Sequence, residues 1–282
     1  MSLKLMYITN RVEIAEIALS AGVDRIFIDL EVIGKADRQG GMDTVQSKHT
    51  VADVAAMRKA VPSAVLLVRC NPIHDATEAY GSTEQEIDDI IAAGADIIML
   101  PYFKTVAEVD RFLKAVNGRV RTMLLFETPD SAALAEEIVK LPGLDEVFIG
   151  LNDMSLGFGM KFMFQLVADG TVERLCDIFR AAGLPYGFGG IAALGKGMLP
   201  AERVIAEHYR VGSTCAILSR SFCNTDIITD LQQVKEIFDS GLTDIRAFEG
   251  QCASKMISFE ENQTALKCAV AEICKAIERK AQ

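Results

Sequence analysis

The sequence lacks several features that would assign it to a particular class of protein. No apolar run approaches the roughly 18 residues that suggest a membrane span. The segment from Met1 to Leu5 leads directly into an apolar run and lacks the basic, apolar and small-residue order of a secretory signal. We therefore expect a cytoplasmic protein that has no membrane partner.

Positive charge is scarce, because the 282 residues carry a formal net charge of −10 and the sequence pI is near 4.9. Binding to a nucleic acid or to an anionic membrane surface requires a basic face. We therefore expect no nucleic-acid partner. A small anionic substrate would need cations placed locally around it.

Cysteine occurs seven times, at positions 70, 176, 215, 223, 252, 268 and 274, but never as a Cys-x-x-Cys pair. The number is odd, the residues are scattered through apolar segments, and a chain of this length does not need covalent staples. This pattern favours reduced core thiols over a zinc site or disulfides.

Eight short apolar runs alternate with longer segments of helical periodicity. Continuous apolar strands are typical of parallel sheets covered on both faces, so the pattern predicts an α/β fold, a (β/α)8 TIM barrel. A doubly wound open sheet is the alternative, although no Gly-x-Gly-x-x-Gly follows the first strand. The predicted strands are 5–9, 25–30, 64–69, 97–100, 122–126, 146–149, 185–188 and 214–218.

The barrel is expected to occupy residues 1–240. A C-terminal helical extension, residues 241–282, would pack on the barrel or on a neighbouring subunit. Helical periodicity near this end covers 227–238 and 259–279. A weak repeat, Gly-x-Asp-x-apolar, begins at Gly22, Gly94 and Gly143, and it is typical of a helix-to-strand junction used several times.

Polar residues follow several predicted strands, and in a barrel these positions lie at the functional end. Two successive strands each deliver a carboxylate, Glu127 and Asp153, and such a pair can hold one divalent cation. Ionised groups clustered at one mouth repel one another unless a cation or a substrate compensates them. The other polar or strand-ending residues are Asp29, Glu31, Arg69, Asn71, Pro101, Lys104 and Asn152.

These residues carry a family resemblance. The sequence resembles the HpcH/HpaI aldolase and citrate lyase β-subunit family, a pyruvate/phosphoenolpyruvate-type TIM barrel superfamily, over roughly residues 5–223. The motifs are individually short but occur in the family's order and approximate spacing. They are Asp29-Leu30-Glu31, Val68-Arg69-Cys70-Asn71-Pro72, Met99-Leu100-Pro101, Phe126-Glu127-Thr128 and Gly150-Leu151-Asn152-Asp153-Met154-Ser155.

The resemblance implies that Glu127 and Asp153 bind Mg²⁺ or Mn²⁺ and that Arg69 contacts the oxo or enolate oxygen of the substrate. It further implies that backbone N–H groups near Asn152 and Asp153 hold the substrate carboxylate. A homo-oligomer, a trimer or a hexamer, is expected, in which the C-terminal helix packs on a neighbouring subunit. Asn71 and Pro101 are included in the expected substrate site, and Asp29 and Glu31 in the catalytic site.

Each of these roles has a structural alternative. Glu127 and Asp153 could be acids at helix starts, which the helix dipole favours. Arg69 could be an ion-pair partner of Asp29 or Glu31. These two acids could instead order loops, or act through metal-bound water.

The general base is where the sequence departs from the aldolases of the family. They place a histidine directly after the strand-two acids, where this chain has Val32, and a glutamine where it has Leu125. We expect His49 to serve as the base, with His74 as a second candidate and His208 as a structural residue. The loop Gly34–Thr50 is expected to carry the features that distinguish this protein from its relatives.

The sequence therefore predicts a metal-dependent carbon–carbon lyase or aldolase that acts on a small 2-oxo acid, pyruvate-like or oxaloacetate-like, through an enolate that Mg²⁺ stabilises. One alternative is a citrate-lyase-like or malyl-CoA-like acyl lyase. A second alternative, of a different class, is a catalytically silent barrel that binds the oxo acid.

Overall fold

The structure is a computed structural model that describes residues 2–35 and 48–281. Most of the loop Gly34–Thr50, including Arg38, Gln39, Gly40 and Gly41, lies outside the described residues. What the sequence predicts for that loop therefore remains a prediction except at its two ends.

Eight parallel strands form a closed barrel in sequential order, and the first strand pairs with the last. The predicted (β/α)8 TIM barrel is confirmed. The seventh strand runs three residues past its predicted end, because its glycines stay in the sheet and meet the eighth strand at a bulge. The strands are β1 Lys4–Ile8, β2 Arg25–Asp29, β3 Val65–Arg69, β4 Ile97–Leu100, β5 Arg121–Phe126, β6 Glu146–Ile149, β7 Tyr186–Ile191 and β8 Cys215–Leu218.

Helices follow the strands and cover the outside of the barrel. Within the described part of the chain they are α1 Val12–Ser20, α2 Val51–Ala60, α3 Thr83–Ala92, α4 Val106–Val116, α5 Pro129–Ala133, α6 Ala135–Ile138, α7 Leu151–Gly157, α8 Gln165–Ala168, α9 Thr171–Ala181, α10 Ala201–Val211, α11 Leu231–Ala253 and α12 Phe259–Ala281.

Capping patterns in the sequence predict helix starts at Thr50, Thr105 and Thr128, and the structure has all three. Thr50 and Thr105 close capping boxes with Asp53 and Glu108, in which each threonine hydroxyl and each acid satisfies an otherwise unpaired backbone N–H. Thr128 caps α5 ahead of a proline at its first position. The sequence also predicts a capping box of Asn10 with Glu13. That prediction is wrong, because α1 begins one residue later, at Val12, and has no side-chain cap.

The aspartates of the Gly-x-Asp-x-apolar repeat hydrogen-bond to neighbouring strands at the amino end of the barrel. Asp24 accepts the backbone N–H of Leu5 through Oδ2, at 2.8 Å. Asp96 and Asp145 do the same at 2.8 Å for Leu66 and Thr122. Each aspartate precedes one strand and binds the start of the strand before it, so the pairs β1–β2, β3–β4 and β5–β6 are tied together. A hydrogen bond to a charged group contributes about 1.5–3 kcal/mol.

The C-terminal segment packs on the barrel of its own chain, with α11 against α1 and α12 against α10. The helix predicted at 227–238 begins at Leu231 and continues to Ala253, so position 240 lies inside α11. The division into residues 1–240 and 241–282 stays a prediction. No described helix is both long enough and apolar enough to cross a bilayer.

All seven cysteines are free thiols in the structure. Five of them are buried, whereas Cys268 is exposed and Cys274 is intermediate. The expectation of core thiols therefore holds for the barrel cysteines and for Cys252 but not for these two on α12.

Candidate active site

Arg69 and Asp29 stand side by side at the carboxyl ends of neighbouring strands. Their Cα atoms are partners in the β2–β3 register. The Arg69 guanidinium donates from Nε to Asp29 Oδ1 and from Nη2 to Asp29 Oδ2, each at 2.8 Å. Parallel, charge-assisted bonds of this kind fix the plane of the guanidinium as well as its position. The ion pair that the sequence analysis named as an alternative for Arg69 is therefore present.

Two further charges complete a buried cluster. The Glu31 carboxylate lies 3.3 Å from Nη1 of Arg69, and the Lys35 ammonium lies 2.7 Å from Asp29 and 3.8 Å from Glu31. We call Asp29, Glu31, Lys35 and Arg69 the charge cluster. Two acids balance two bases, as burial requires, since removing one member of such a group costs about 3–5 kcal/mol.

The cluster fixes the ionisation of Asp29 and Arg69. Burial alone would raise the pKa of the Asp29 carboxyl, but Arg69 and Lys35 outweigh it and hold that pKa well below its usual range. The pKa of Arg69 is raised despite burial, because the charges of Asp29 and Glu31 favour the guanidinium ion. Asp29 is therefore ionised at neutral pH and unsuited to act as a proton donor.

Asn71 holds the loop after β2 against the start of α3. Its side-chain oxygen accepts the backbone N–H groups of Val32 and Ile33, at 2.8 and 2.9 Å, and its amide nitrogen donates to Glu86 at 2.8 Å. These bonds position the segment that carries Glu31. Substrate binding by Asn71, expected from its place after β3, stays a prediction, and the contacts described here are all within the protein.

Glu127 is fixed by an unusual backbone conformation after β4. Pro101 is buried and is followed by Tyr102 at φ 51°, a left-handed conformation that is strained in a residue other than glycine. In this conformation the Tyr102 N–H donates to Oε1 of Glu127 at 2.9 Å. Pro101 thus lies where it helps to position a carboxylate. Lys104, further along this loop, is exposed, and its ammonium lies 5.0 Å from the Tyr102 ring centroid.

Gly150 leaves the space that the Glu127 side chain occupies. A Cβ atom at Gly150 would lie 2.8 Å from Cβ of Glu127 and 2.9 Å from its Oε2, closer than real Cβ contacts come. Since Gly150 immediately precedes α7, which carries Asn152 and Asp153, the two acid-bearing segments pack against each other through this glycine.

Glu127, Asp153 and Arg69 line one cavity of about 230 Å³, which we call the carboxylate cavity. Glu127 and Asp153 are both buried, at 3% and 7% exposure. Carboxylate oxygens are hard ligands that suit Mg²⁺ or Mn²⁺. The rest of the wall is largely apolar and includes Ile8, Phe27, Met99, Leu125 and Phe148.

The residues fit a divalent cation with few protein ligands. Two buried acids from successive βα units face the same small cavity, and an arginine lies on its wall. The described residues include no group of three or more histidine, cysteine or acidic side chains placed to hold a metal ion. A cation bound here would therefore complete its shell with water and substrate, as Mg²⁺ commonly does.

A second, larger cavity of about 450 Å³ lies beside the first, and we call it the mouth cavity. Its polar residues come largely from the segments that follow β1 and β8, where the sequence suggested no site residue. The two cavities share the wall residues Ile8, Arg69, Asn152, Met163, Ile217 and Ser219. The mouth cavity is otherwise lined by Thr9, Asn10, Arg11, Asp29, Lys35, His49, Arg220, Asn224, Thr225 and Asp226 among others.

The three histidines lie in three different environments. His49 lines the mouth cavity, and its Nδ1 accepts the backbone N–H of Asp29 at 3.0 Å. Because burial lowers its pKa, His49 is neutral at neutral pH, and its proton is on Nε2. His74 lies on neither cavity wall and contacts Pro72 and Thr83. His208 is fully buried and stacks on Phe188, as a structural residue would.

His49 therefore offers a hydrogen-bond donor to the mouth cavity rather than a free lone pair. A neutral imidazole has one acceptor nitrogen, and here that nitrogen receives the Asp29 amide. The assignment of His49 as general base stays a prediction that would need this hydrogen bond to break. Lys35 was missed in the sequence because neither a motif nor a periodicity marks it. The neighbouring Gly34 is the local feature that marks this position, because its left-handed backbone, at φ 71°, turns the chain just before Lys35.

Comparison with known proteins gives the same fold. A family model described as HpcH/HpaI aldolase/citrate lyase matches residues 5–163. An HpcH/HpaI aldolase from Desulfitobacterium hafniense DCB-2 superposes with a TM-score of 0.61 at 13% identity, covering 83% of this chain and 93% of that chain. A family protein from Burkholderia cenocepacia J2315 gives 0.59 at 15% identity, covering 83% and 95%.

A third solved structure is the citrate lyase beta subunit from M. tuberculosis, complexed with oxaloacetate and magnesium. It superposes with a TM-score of 0.53 at 15% identity and covers 84% of this chain and 97% of that chain. At such identities the structural likeness carries the fold alone. Among curated proteins, none matches the sequence. The match of the family model over more than half of the chain shows that this protein belongs to the HpcH/HpaI aldolase/citrate lyase family.

Proposed function

We propose that the protein is a divalent-metal-dependent carbon–carbon lyase or aldolase that acts on a small 2-oxo acid resembling pyruvate or oxaloacetate. The observation that carries the proposal is the carboxylate cavity, which Glu127, Asp153 and Arg69 all line. A structural neighbour that holds oxaloacetate and magnesium supports the same chemistry. We further propose that the subunits form a homo-oligomer, a trimer or a hexamer.

Glu127 and Asp153 would hold the cation. Bound there, Mg²⁺ or Mn²⁺ would act as a Lewis acid that polarises the carbonyl of the oxo acid. The two acids and their buried setting would orient the substrate with its oxo group toward Arg69. Asn152, on the shared wall of both cavities, lies where the substrate carboxylate could be held near the start of α7.

Arg69 would stabilise the oxygen charge that develops as a carbon–carbon bond beside the carbonyl breaks or forms. A guanidinium that is already fixed needs no reorganisation when this charge appears, and this preorganisation is a large source of rate enhancement. Asp29 and Glu31 would serve by holding the guanidinium in place. We therefore propose that Asp29 and Glu31 contribute to catalysis by positioning Arg69.

Oxaloacetate decarboxylation tests the proposal, because it requires the enolate but no second substrate. We expect the protein with Mg²⁺ to form pyruvate from oxaloacetate, and chelation by EDTA to abolish this activity. Glu127→Gln removes one charged ligand and should lower kcat/KM at least about 100-fold. Glu136→Gln, an exposed acid on α6, is the matched control and should behave like the wild type.

Two results would reject the assignment. Undiminished turnover in Glu127→Gln would show that this carboxylate holds no catalytic metal. Calorimetric binding of oxalate without any decarboxylation would instead favour the catalytically silent oxo-acid-binding barrel.

A further inference from the structure

A third cavity reaches the two acids that are proposed to hold the cation. Its volume is about 370 Å³, and we call it the side cavity. Glu127 and Asp153 are the buried acids on its wall, whereas Lys104, Asp130 and Leu156 on the same wall are exposed. The side cavity therefore leads from the protein surface to the two acids.

The walls of the side cavity come from the loop after β4, the start of α5 and the end of α7. The Tyr102 N–H that donates to Oε1 of Glu127 belongs to this loop. Gly157 lets α7 approach α5, because an added Cβ atom would lie 2.5 Å from Cδ of Pro129. The segments that frame the side cavity are thus the ones that also hold the two acids.

The side cavity carries an excess of negative charge. Three of its described wall residues are acids, Glu127, Asp130 and Asp153, and one is a base, Lys104. The Lys104 ammonium lies 5.0 Å from the centroid of the Tyr102 ring, a cation–π contact. A cleft lined mainly by one sign of charge concentrates ions of the opposite sign. The side cavity therefore favours a divalent cation over an anionic oxo acid.

The mouth cavity carries the opposite charge. Glu127 and Asp153 do not line it, so a cation that entered there would pass the fixed Arg69 guanidinium on the shared wall before it reached them. His49 is neutral and adds no charge. The mouth cavity therefore favours the anionic substrate. Its described charged residues are the bases Arg11, Lys35, Arg69 and Arg220 and the acids Asp29 and Asp226.

Resting on the proposed function, we propose that the divalent cation reaches and leaves Glu127 and Asp153 through the side cavity, whereas the oxo acid enters through the mouth cavity. The two acids line both the side cavity and the carboxylate cavity, so they stand between the surface and the reaction site. Separate entrances keep the cation away from the bases of the mouth cavity. The site can then be loaded in either order.

Binding and release of Mn²⁺ test this route without any turnover. Mn²⁺ is the probe, because Mg²⁺ gives up its hydration water reluctantly. A titration followed by the electron paramagnetic resonance signal of free Mn²⁺ gives Kd. Mixing the loaded protein with an excess of chelator gives the release rate koff, and the ratio koff/Kd gives the association rate kon.

Leu156→Trp places a larger side chain at the exposed end of the side cavity. An obstruction slows passage in both directions and leaves the bound state as it was, so we expect kon and koff to fall together by about tenfold, with Kd unchanged. Damage to the Glu127 carboxylate would raise Kd instead. Phe158→Trp is the matched control, because Phe158 is exposed two residues further on but does not line the side cavity. It should leave both rates unchanged.

Charge reversal compares the two entrances. Asp130→Lys in the side cavity and Asp226→Lys in the mouth cavity make the same change in total charge, and both positions are exposed. We expect kon to fall about tenfold in Asp130→Lys and to stay within about twofold of the wild type in Asp226→Lys, because steering acts where the ion passes. This difference between the variants should shrink at high salt concentration.

Each other outcome rejects one idea. An unchanged koff in folded Leu156→Trp, or a fall of kon in Asp226→Lys that equals or exceeds the fall in Asp130→Lys, would overturn the side-cavity route. If Leu156→Trp does not fold, the two charge reversals decide the question. A wild-type protein that binds no Mn²⁺, or one that binds it equally well after Glu127→Gln, would instead reject the metal site of the proposed function.

Discussion

Arg69 holds Asp29 through two parallel hydrogen bonds of 2.8 Å, and the two residues are register partners on adjacent strands. The pair lies on the wall of the mouth cavity, and Arg69 also reaches the wall of the carboxylate cavity. Asp29 is thus engaged in positioning the Arg69 guanidinium beside it.

Arg69→Lys keeps the charge but loses this geometry, because an ammonium cannot make the paired bonds. We expect kcat/KM for oxaloacetate decarboxylation to fall about 100-fold or more, a loss of the size seen when one donor to a developing oxyanion is removed. Arg58→Lys is the comparison, because Arg58 binds the carbonyl oxygens of Gly94 and Ala64 at the opposite end of the barrel. It should lower Tm and leave kcat unchanged. Full activity in Arg69→Lys would exclude a role for the guanidinium.

Gly150→Ala should displace the Glu127 carboxylate. The new methyl group would lie 2.8 Å from Cβ of Glu127, an atom close to the backbone that cannot turn aside. We expect Mg²⁺-dependent binding of oxalate, measured by calorimetry, to weaken about tenfold or more. Gly250→Ala on α11 is the matched control, because nothing lies within 4 Å of its added Cβ. Unchanged binding in Gly150→Ala would mean that Glu127 does not need this space.

His208 should make stability fall in mildly acidic solution. Its ring is fully buried against Phe188, and burial lowers the pKa from 6.5 to about 3. As the pH falls, the unfolded chain therefore takes up this proton before the folded chain does. The contribution of the neutral ring is complete above about pH 6.5 and is lost toward pH 3, at about 1.4 kcal/mol for each pH unit.

Urea unfolding at pH 7, 6 and 5 measures this slope. His208→Phe keeps an aromatic ring on Phe188 but has no proton to bind. The difference in unfolding free energy between wild type and variant should therefore shrink or reverse as the pH falls. A difference that is constant with pH would show that His208 does not titrate in this way.

The sequence predicted the barrel well because its signals are local. A continuous apolar strand, a threonine cap with an acid three residues later, and a glycine at a helix end each act within a few residues. Thr50, Thr105 and Thr128 were identified for this reason. The box at Asn10 failed because α1 begins at Val12, one residue later than predicted, and the Thr9 hydroxyl accepts the Arg11 N–H at 3.1 Å in the turn before it.

The site was harder to predict from the sequence, because it depends on contacts between residues that are far apart along the chain. The positions of Glu127 and Asp153 after successive strands placed them at one end of the barrel, and both line one cavity. The pairing of Lys35 with Asp29 depends on how a loop folds back, which no spacing rule gives. The hydrogen bond between the Asp29 amide and His49 joins residues 20 positions apart and decides which nitrogen of the ring carries the proton.

The hydrogen bonds of Asp24, Asp96 and Asp145 at the amino end of the barrel have a consequence for how this sequence can vary. They tie the barrel together two strands at a time, through backbone N–H groups that any residue except proline can provide at the strand start. None of them touches the opposite end, where both cavities open. The loops at the carboxyl end, which line both cavities, can therefore change in sequence without removing these hydrogen bonds between strands.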